Sequence, residues 1–158
     1  MTKYEELASI ACRQSKEAFI HRDECRNLAS KIGYGYKAYL EIPEEHFNFV
    51  KLDAGLNVIE SKCGNYIVEM TQDFEGFWWF GFHIHYQDSK ERTFLDQVIK
   101  IGLKKSKTKF TVRMDNDECI DPVSDEELEK LFQSIYESDK RSLSQKINQP
   151  KYKIGFTE

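Results

Sequence analysis

The sequence holds no proline or glycine before Gly33, no CxxC pair, no glycine-rich phosphate cradle and no long apolar run. Each absence excludes something. Cys12, Cys25, Cys63 and Cys119 stand too far apart for a zinc ribbon. Neither GxGxxG nor a Walker loop occurs, which excludes nucleotide binding through those motifs. Without a GxSxG elbow, an α/β-hydrolase serine is excluded as well. No stretch is apolar enough to cross a bilayer. The opening MTKYEELASIACRQSKEAF is charged throughout and has no apolar centre, so no signal peptide is expected. These features predict a cytoplasmic protein with free thiols, no membrane partner and no cofactor. Basic charge is short too. Lys+Arg number 23 against 27 for Asp+Glu, giving a net charge of −4 and a pI near 5.7. That balance disfavours a general nucleic-acid partner.

What the chain has in quantity is aromatic side chains, 11 Phe and 8 Tyr, which suit a sheet-rich core. Its 158 residues fit one domain with a single core, and no repeat or linker divides it. The domain is expected over 1–140, with 141–158 a polar, basic, loosely ordered tail. Residues 3–31 read as one long helix. Ala11, Ala18, Cys25 and Ile32 recur at every seventh position, while Gln14 and His21 interrupt the neighbouring stripe. Gly33 is expected to end it.

From Gly33 to Met114 the hydrophobic period falls to two. Strands are expected at 36–42 (YKAYLEI), 46–52 (HFNFVKL), 56–62 (LNVIESK), 65–71 (NYIVEMT), 77–87, 97–105 and 109–115. A short helix is expected over 88–96. Cys63-Gly64 marks one hairpin and the SKT run at 106–108 another. After Pro122, Ser124 and Glu127 form a capping box that opens a second helix over 124–138. Its apolar face is Leu128, Leu131, Phe132 and Ile135. The resulting fold class is α+β: a long N-terminal helix, a meander-like antiparallel sheet of six or seven strands, and a C-terminal helix.

Four clusters are candidates for chemistry or contact. In EGFWWFGFHIHYQ (75–87), alternation places Trp78, Phe80, Phe82, Ile84 and Tyr86 on a core face. Phe77, Trp79, Gly81, His83 and His85 fall on the other. His83 and His85 point the same way, as two zinc ligands would, but a site needs a third ligand with support behind it. The second cluster is Asp53, Glu60 and Lys62 in LDAGLNVIESKCGN. A carboxylate followed by Glu-x-Lys resembles, over ten residues, the divalent-metal motif of the PD-(D/E)XK nucleases. The resemblance implies Asp53 and Glu60 as metal ligands and Lys62 as the group that positions the attacking water. In DNDECIDPVSDEE (115–127), Asp115, Asp117, Asp121 and Glu126 follow the ligand spacing of an EF-hand loop, but Ile120 stands where glycine is needed. Lastly, Lys100, Lys104, Lys105, Lys107, Lys109 and Arg113 make a basic hairpin beside that acidic loop. Such a field steers partners.

The favoured reading is a non-catalytic binding protein acting on another protein, as inhibitors of the immunity-protein or anti-defence type do. Its expected contact residues are Trp79, His83, His85, Lys104, Lys105, Lys107, Lys109, Asp115 and Asp117. The rival is a metal-dependent nuclease or hydrolase, working through Asp53, Glu60 and Lys62 or through His83 and His85.

Overall fold

Thr2 starts the first helix. Its hydroxyl accepts from the Glu5 N–H at 3.1 Å, and the Glu5 carboxylate accepts from the Thr2 N–H at 2.9 Å, a reciprocal capping box. In the computed structural model, which describes residues 1–60, 69–88, 90, 93–114, 117–120, 124–147 and 153–154, this helix (α1) spans Lys3–Leu40. It passes straight through Gly33, where a stop was expected, and takes in most of the segment 36–42 expected as a strand. The reason is packing. A Cβ on Gly33 would sit 2.5 Å from the Phe49 ring, and one on Gly35 would sit 2.4 Å from the Phe132 ring. These glycines serve close approach, and α1 pays only a propensity cost for them. The real stop is Glu41, at φ 55. There the Ile42 N–H donates to the Lys37 carbonyl at 3.0 Å and the Glu41 N–H to the Ala38 carbonyl at 3.1 Å, a Schellman cap. Pro43 then bars continuation.

A single 3₁₀ turn, Glu44–His46, leads into the sheet. The strands are β1 (Phe47–Leu52), β2 (Val58–Glu60), β3 (Thr71–Gln72), β4 (Trp78–Asp88), β5 (Thr93–Ser106), β6 (Lys109–Met114) and β7 (Asp117–Ile120). Helix α2 (Asp125–Ile147) and the short β8 (Lys153–Ile154) follow. Every pairing among them is antiparallel. The order is β2-β1-β4-β5-β6-β7, with β3 beside β4 and β8 beside β5. Strands β4 to β7 form a meander, while β1 lies between β2 and β4. The fold is therefore α+β, with a long N-terminal helix, an antiparallel sheet built on six main strands and a C-terminal helix.

Residues 93–96, expected within a short helix, belong to the sheet. β5 begins at Thr93 and pairs with β4 from Asp88↔Thr93 to Trp78↔Leu103. Thr93 and Phe94 suit a strand, and the full-length ladder with β4 draws Leu95 and Asp96 in with them. β7 occupies part of the expected acidic loop, with Asp117 opposite Met114. The Cys63-Gly64 hairpin, Asp115 and Asp121 lie outside the described residues.

Ser124 opens α2, its Oγ accepting from the Glu127 N–H at 3.2 Å. The helix runs past its expected end at 138 and takes in 141–147, the start of the expected loose tail. These later turns dock through polar groups. The Tyr86 hydroxyl donates to the buried Asp139 carboxylate, and the Gln97 amide donates to Ser142 Oγ at 3.0 Å.

Both helices cover one face of the sheet. Cys25, Leu28, Ala29, Ile32 and Tyr36 of α1 and Leu128, Leu131 and Ile135 of α2 meet Phe80, Phe82, Ile84, Ile101 and Leu103. The expected core face of β4 is the one the helices cover. Burying each large apolar side chain stabilises by about 1.5–3 kcal/mol relative to exposure.

Two substitutions test the account of α1. For Gly33→Ala, propensity alone predicts a gain of about 1 kcal/mol. Overpacking against the buried Phe49 ring costs about 1–3 kcal/mol, so the variant is expected to melt below wild type in calorimetry. Glu41→Gly is expected to melt higher. It relieves left-handed strain of about 1–2 kcal/mol and removes a negative charge from a helix C-terminus.

Candidate functional site

The sheet face turned away from the helices has two unlike ends. At the polar end, His83 and His85 of β4 converge on Asp96 of β5. His83 Nε2 lies 3.0 Å and His85 Nδ1 2.8 Å from the same atom, Asp96 Oδ1. His83 Nδ1 lies 3.3 Å from Asn48 Oδ1 on β1. Register explains the meeting, because His85 stands directly opposite Asp96 and His83 is its diagonal neighbour. The rings of His46 and Phe94 flank His85, each with its centroid 5.3 Å away. Burial pushes the Asp96 carboxyl up, but hydrogen bonds from His85 and His83 outweigh it and hold the group below the usual carboxylate range. Both histidines thus spend a ring nitrogen on one oxygen. Among the described residues, no group of three or more His, Cys, Asp or Glu side chains is placed to hold a metal ion.

The other end is roofed. Trp79, expected as a contact residue, is only 7% exposed and packs with Val50, Leu52 and Phe77. Its ring lies so close to Gly102 that a Cβ there would come within 2.7 Å. Its Nε1 donates to Asp73 Oδ2 at 2.7 Å. Asp73 Oδ1 accepts from the Glu75 and Phe77 N–H groups, both at 2.9 Å, closing a turn with Gly76 at φ 87. Asp53 does the same work in its own turn. Its Oδ1 accepts from the Gly55 and Asn57 N–H groups, both at 2.9 Å, and the Asn57 bond leads in holding its carboxyl down. Asp53 is therefore a turn-closing residue. The side chain of Glu60 and the whole of Lys62 lie outside the described residues, so no geometry joins the three.

The basic hairpin is divided between the faces. Lys104 reaches the Glu75 carbonyl at 2.7 Å across the Phe77 ring, and Arg113 pairs with Glu75 at 2.7 Å. Lys105 points to the helix side, where it pairs with Glu24 of α1. Lys107 and Lys109 stay exposed at the turn. Asp117 sits in β7, its side chain outside the described set.

Another surface emerges that residue patterns did not single out. Residues 3–20 of α1 are all exposed except Ala8, which is partly shielded. On this arm Tyr4 is 80%, Leu7 66%, Phe19 54% and Ile20 54% exposed. The stripe was legible, but periodicity marks a face without saying what lies against it. Separately, a groove of about 560 Å³ lies among Leu40, Ile42, Ile84, Leu143, Tyr86 and Asp139. Burial first, and Asp139 next, raise the Tyr86 phenol far above its usual range, so it stays a hydrogen-bond donor. Among the described residues, no helix is long and apolar enough to cross a membrane.

The histidine–aspartate cluster has a pH signature. Asp96 ionises below its ordinary value of 3.8 in the fold. Its stabilisation is present above that value and is lost as pH falls through the folded pKa. Urea melts are expected to show wild type more stable than Asp96→Asn at pH 6. The difference should close as pH drops below about 4.

Compared with known proteins, the chain matches no family model, no curated protein and no solved structure, which leaves its own geometry to carry the functional reading.

Proposed function

We propose that this chain is a non-catalytic binding protein that works by contact with another protein, in the manner of inhibitors of the immunity-protein or anti-defence type. The observation that supports this is the α1 arm. Each large apolar side chain gains about 1.5–3 kcal/mol on burial, and Tyr4, Leu7, Phe19 and Ile20 stand in water on one projecting helix. Large apolar side chains left exposed at both ends of the arm support an interaction surface there. The half-exposed His83, His85 and Phe94 add a second, polar and aromatic surface at the open end of the sheet. The net charge of −4 suits a basic partner.

An affinity-tagged full-length chain is expected to retain one stoichiometric protein from an extract of its native host. The double variant Leu7→Lys/Ile20→Lys, shown to be folded by circular dichroism, is expected to lose it. Equal retention by both chains would move the contact away from the arm. No retention by wild type would sink the proposal.

A further inference from the structure

The buried seam of α1 does not end where the sheet ends. Cys25, Leu28, Ile32 and Tyr36 face the core. Stepping back by heptads along the same face, Ala18, Ala11 and Tyr4 fall in line with Cys25, and Leu7 falls in line with Leu28. One stripe of one helix is thus covered by the chain's own sheet over its second half and stands open over 3–20.

We propose that a second copy of this chain covers the open half, its α1 arm lying antiparallel to the first. This rests on reading the arm as a protein-contact surface, and it names the partner of the stripe through Tyr4, Leu7, Ala11 and Ala18, leaving Phe19 and Ile20 outside the seam. Size favours this occupant. Two arms crossing midway between Ala11 and Gln14 set Leu7 against Ala18 of the second copy and Ala11 against Gln14 of the second copy. The bulky tip of each arm falls on the small-residue stretch of the other, whereas a parallel pair would stack Tyr4 on Tyr4 and Ala18 on Ala18. Gln14 falls beside the crossing, where one polar residue in an apolar seam fixes register.

Charge agrees. The flanks of the same pairing, where facing positions are offset along the helices, bring Lys3 beside Glu24 of the second copy and Glu5 within reach of Arg22 of the second copy. Within its own chain Arg22 reaches Asp23 at 3.3 Å, and its Nε is enclosed without a hydrogen-bond partner. Glu24 already pairs with Lys105, so Lys3 would join an existing ion pair. Length agrees as well. An arm of residues 3–20 is about 27 Å long, the span of the seam it would cover. Each arm therefore runs from the other's tip to the edge of its sheet, and the two-fold symmetry closes the interface at two copies.

Disulfide trapping tests the geometry. In a Cys12→Ser background, Leu7→Cys/Ala18→Cys is oxidised with copper phenanthroline in air and run on a non-reducing gel. Leu7 and Ala18 are too far apart on one helix to join within a chain. The double variant is expected to give a covalent dimer, and each single variant none. Sedimentation equilibrium of the full chain is expected to show a dimer, with Ala18→Glu weakening it at least tenfold. A monomer at every concentration, or crosslinking by Leu7→Cys alone as a parallel pair would give, overturns the proposal. The wider functional reading fails separately. A dimer that captures no host protein contradicts the inhibitor role, while a monomer whose arm still captures one contradicts only the second copy.

Discussion

The closeness of α1 to its neighbours governs this fold. Phe49 of β1 seats its ring against Gly33, and Phe132 of α2 does so against Gly35, so close that a Cβ at either glycine would displace the ring. With the helix held that close, the Tyr36 ring comes within 5.8 Å of Phe82 and 6.3 Å of Phe132, tying both helices and the central strand into one cluster. It also fixes where α1 ends. The Schellman cap at Glu41 and the proline after it turn the chain into β1, and the long β4–β5 ladder builds on that edge. Everything else sits on surfaces this packing leaves over.

Those surfaces differ in kind. Where Trp79 and Phe77 lie, turns closed by Asp53 and Asp73 fold back on the sheet and make a small second core. Where His83 and His85 lie, the strand face stays open and a single carboxylate gathers both imidazoles. A pattern that alternates perfectly along β4 is therefore half structural roof and half accessible surface. The difference comes from the neighbouring turns, which no period-two signal in the strand can report.

Much of the architecture was readable from residues alone. The even-numbered face of β4, the β5–β6 hairpin and the Ser124 cap depend on local alternation and capping, which sequence displays directly. The failures share a cause. Gly33 looked like a stop because a lone glycine shows its propensity and not its contacts. Residues 93–96 were joined to a short helix because four residues show no clear period of their own, and only pairing with β4 defines the strand. The later turns of α2 were missed because they dock through Asp139 and Ser142 rather than through leucines. Among the site residues, Lys104 and Lys105 were grouped by adjacency, although neighbours on a strand face opposite ways, one toward Glu75 and the other toward Glu24. The role of Asp96 was hidden because it lies on a different strand from the histidines it joins.

The continuity of α1 has a consequence for how freely this sequence can change. The helix is a single rod whose root, from Cys25 onward, is locked into the core, while its first eighteen residues add almost nothing to core packing. Substitutions in the arm can therefore change its surface at little cost to whether the chain folds. The root has less freedom, since any side chain at Gly33 or Gly35 must displace the Phe49 or Phe132 ring. One helix thus joins a segment whose surface is free to vary to a segment constrained by packing, with the boundary close to His21.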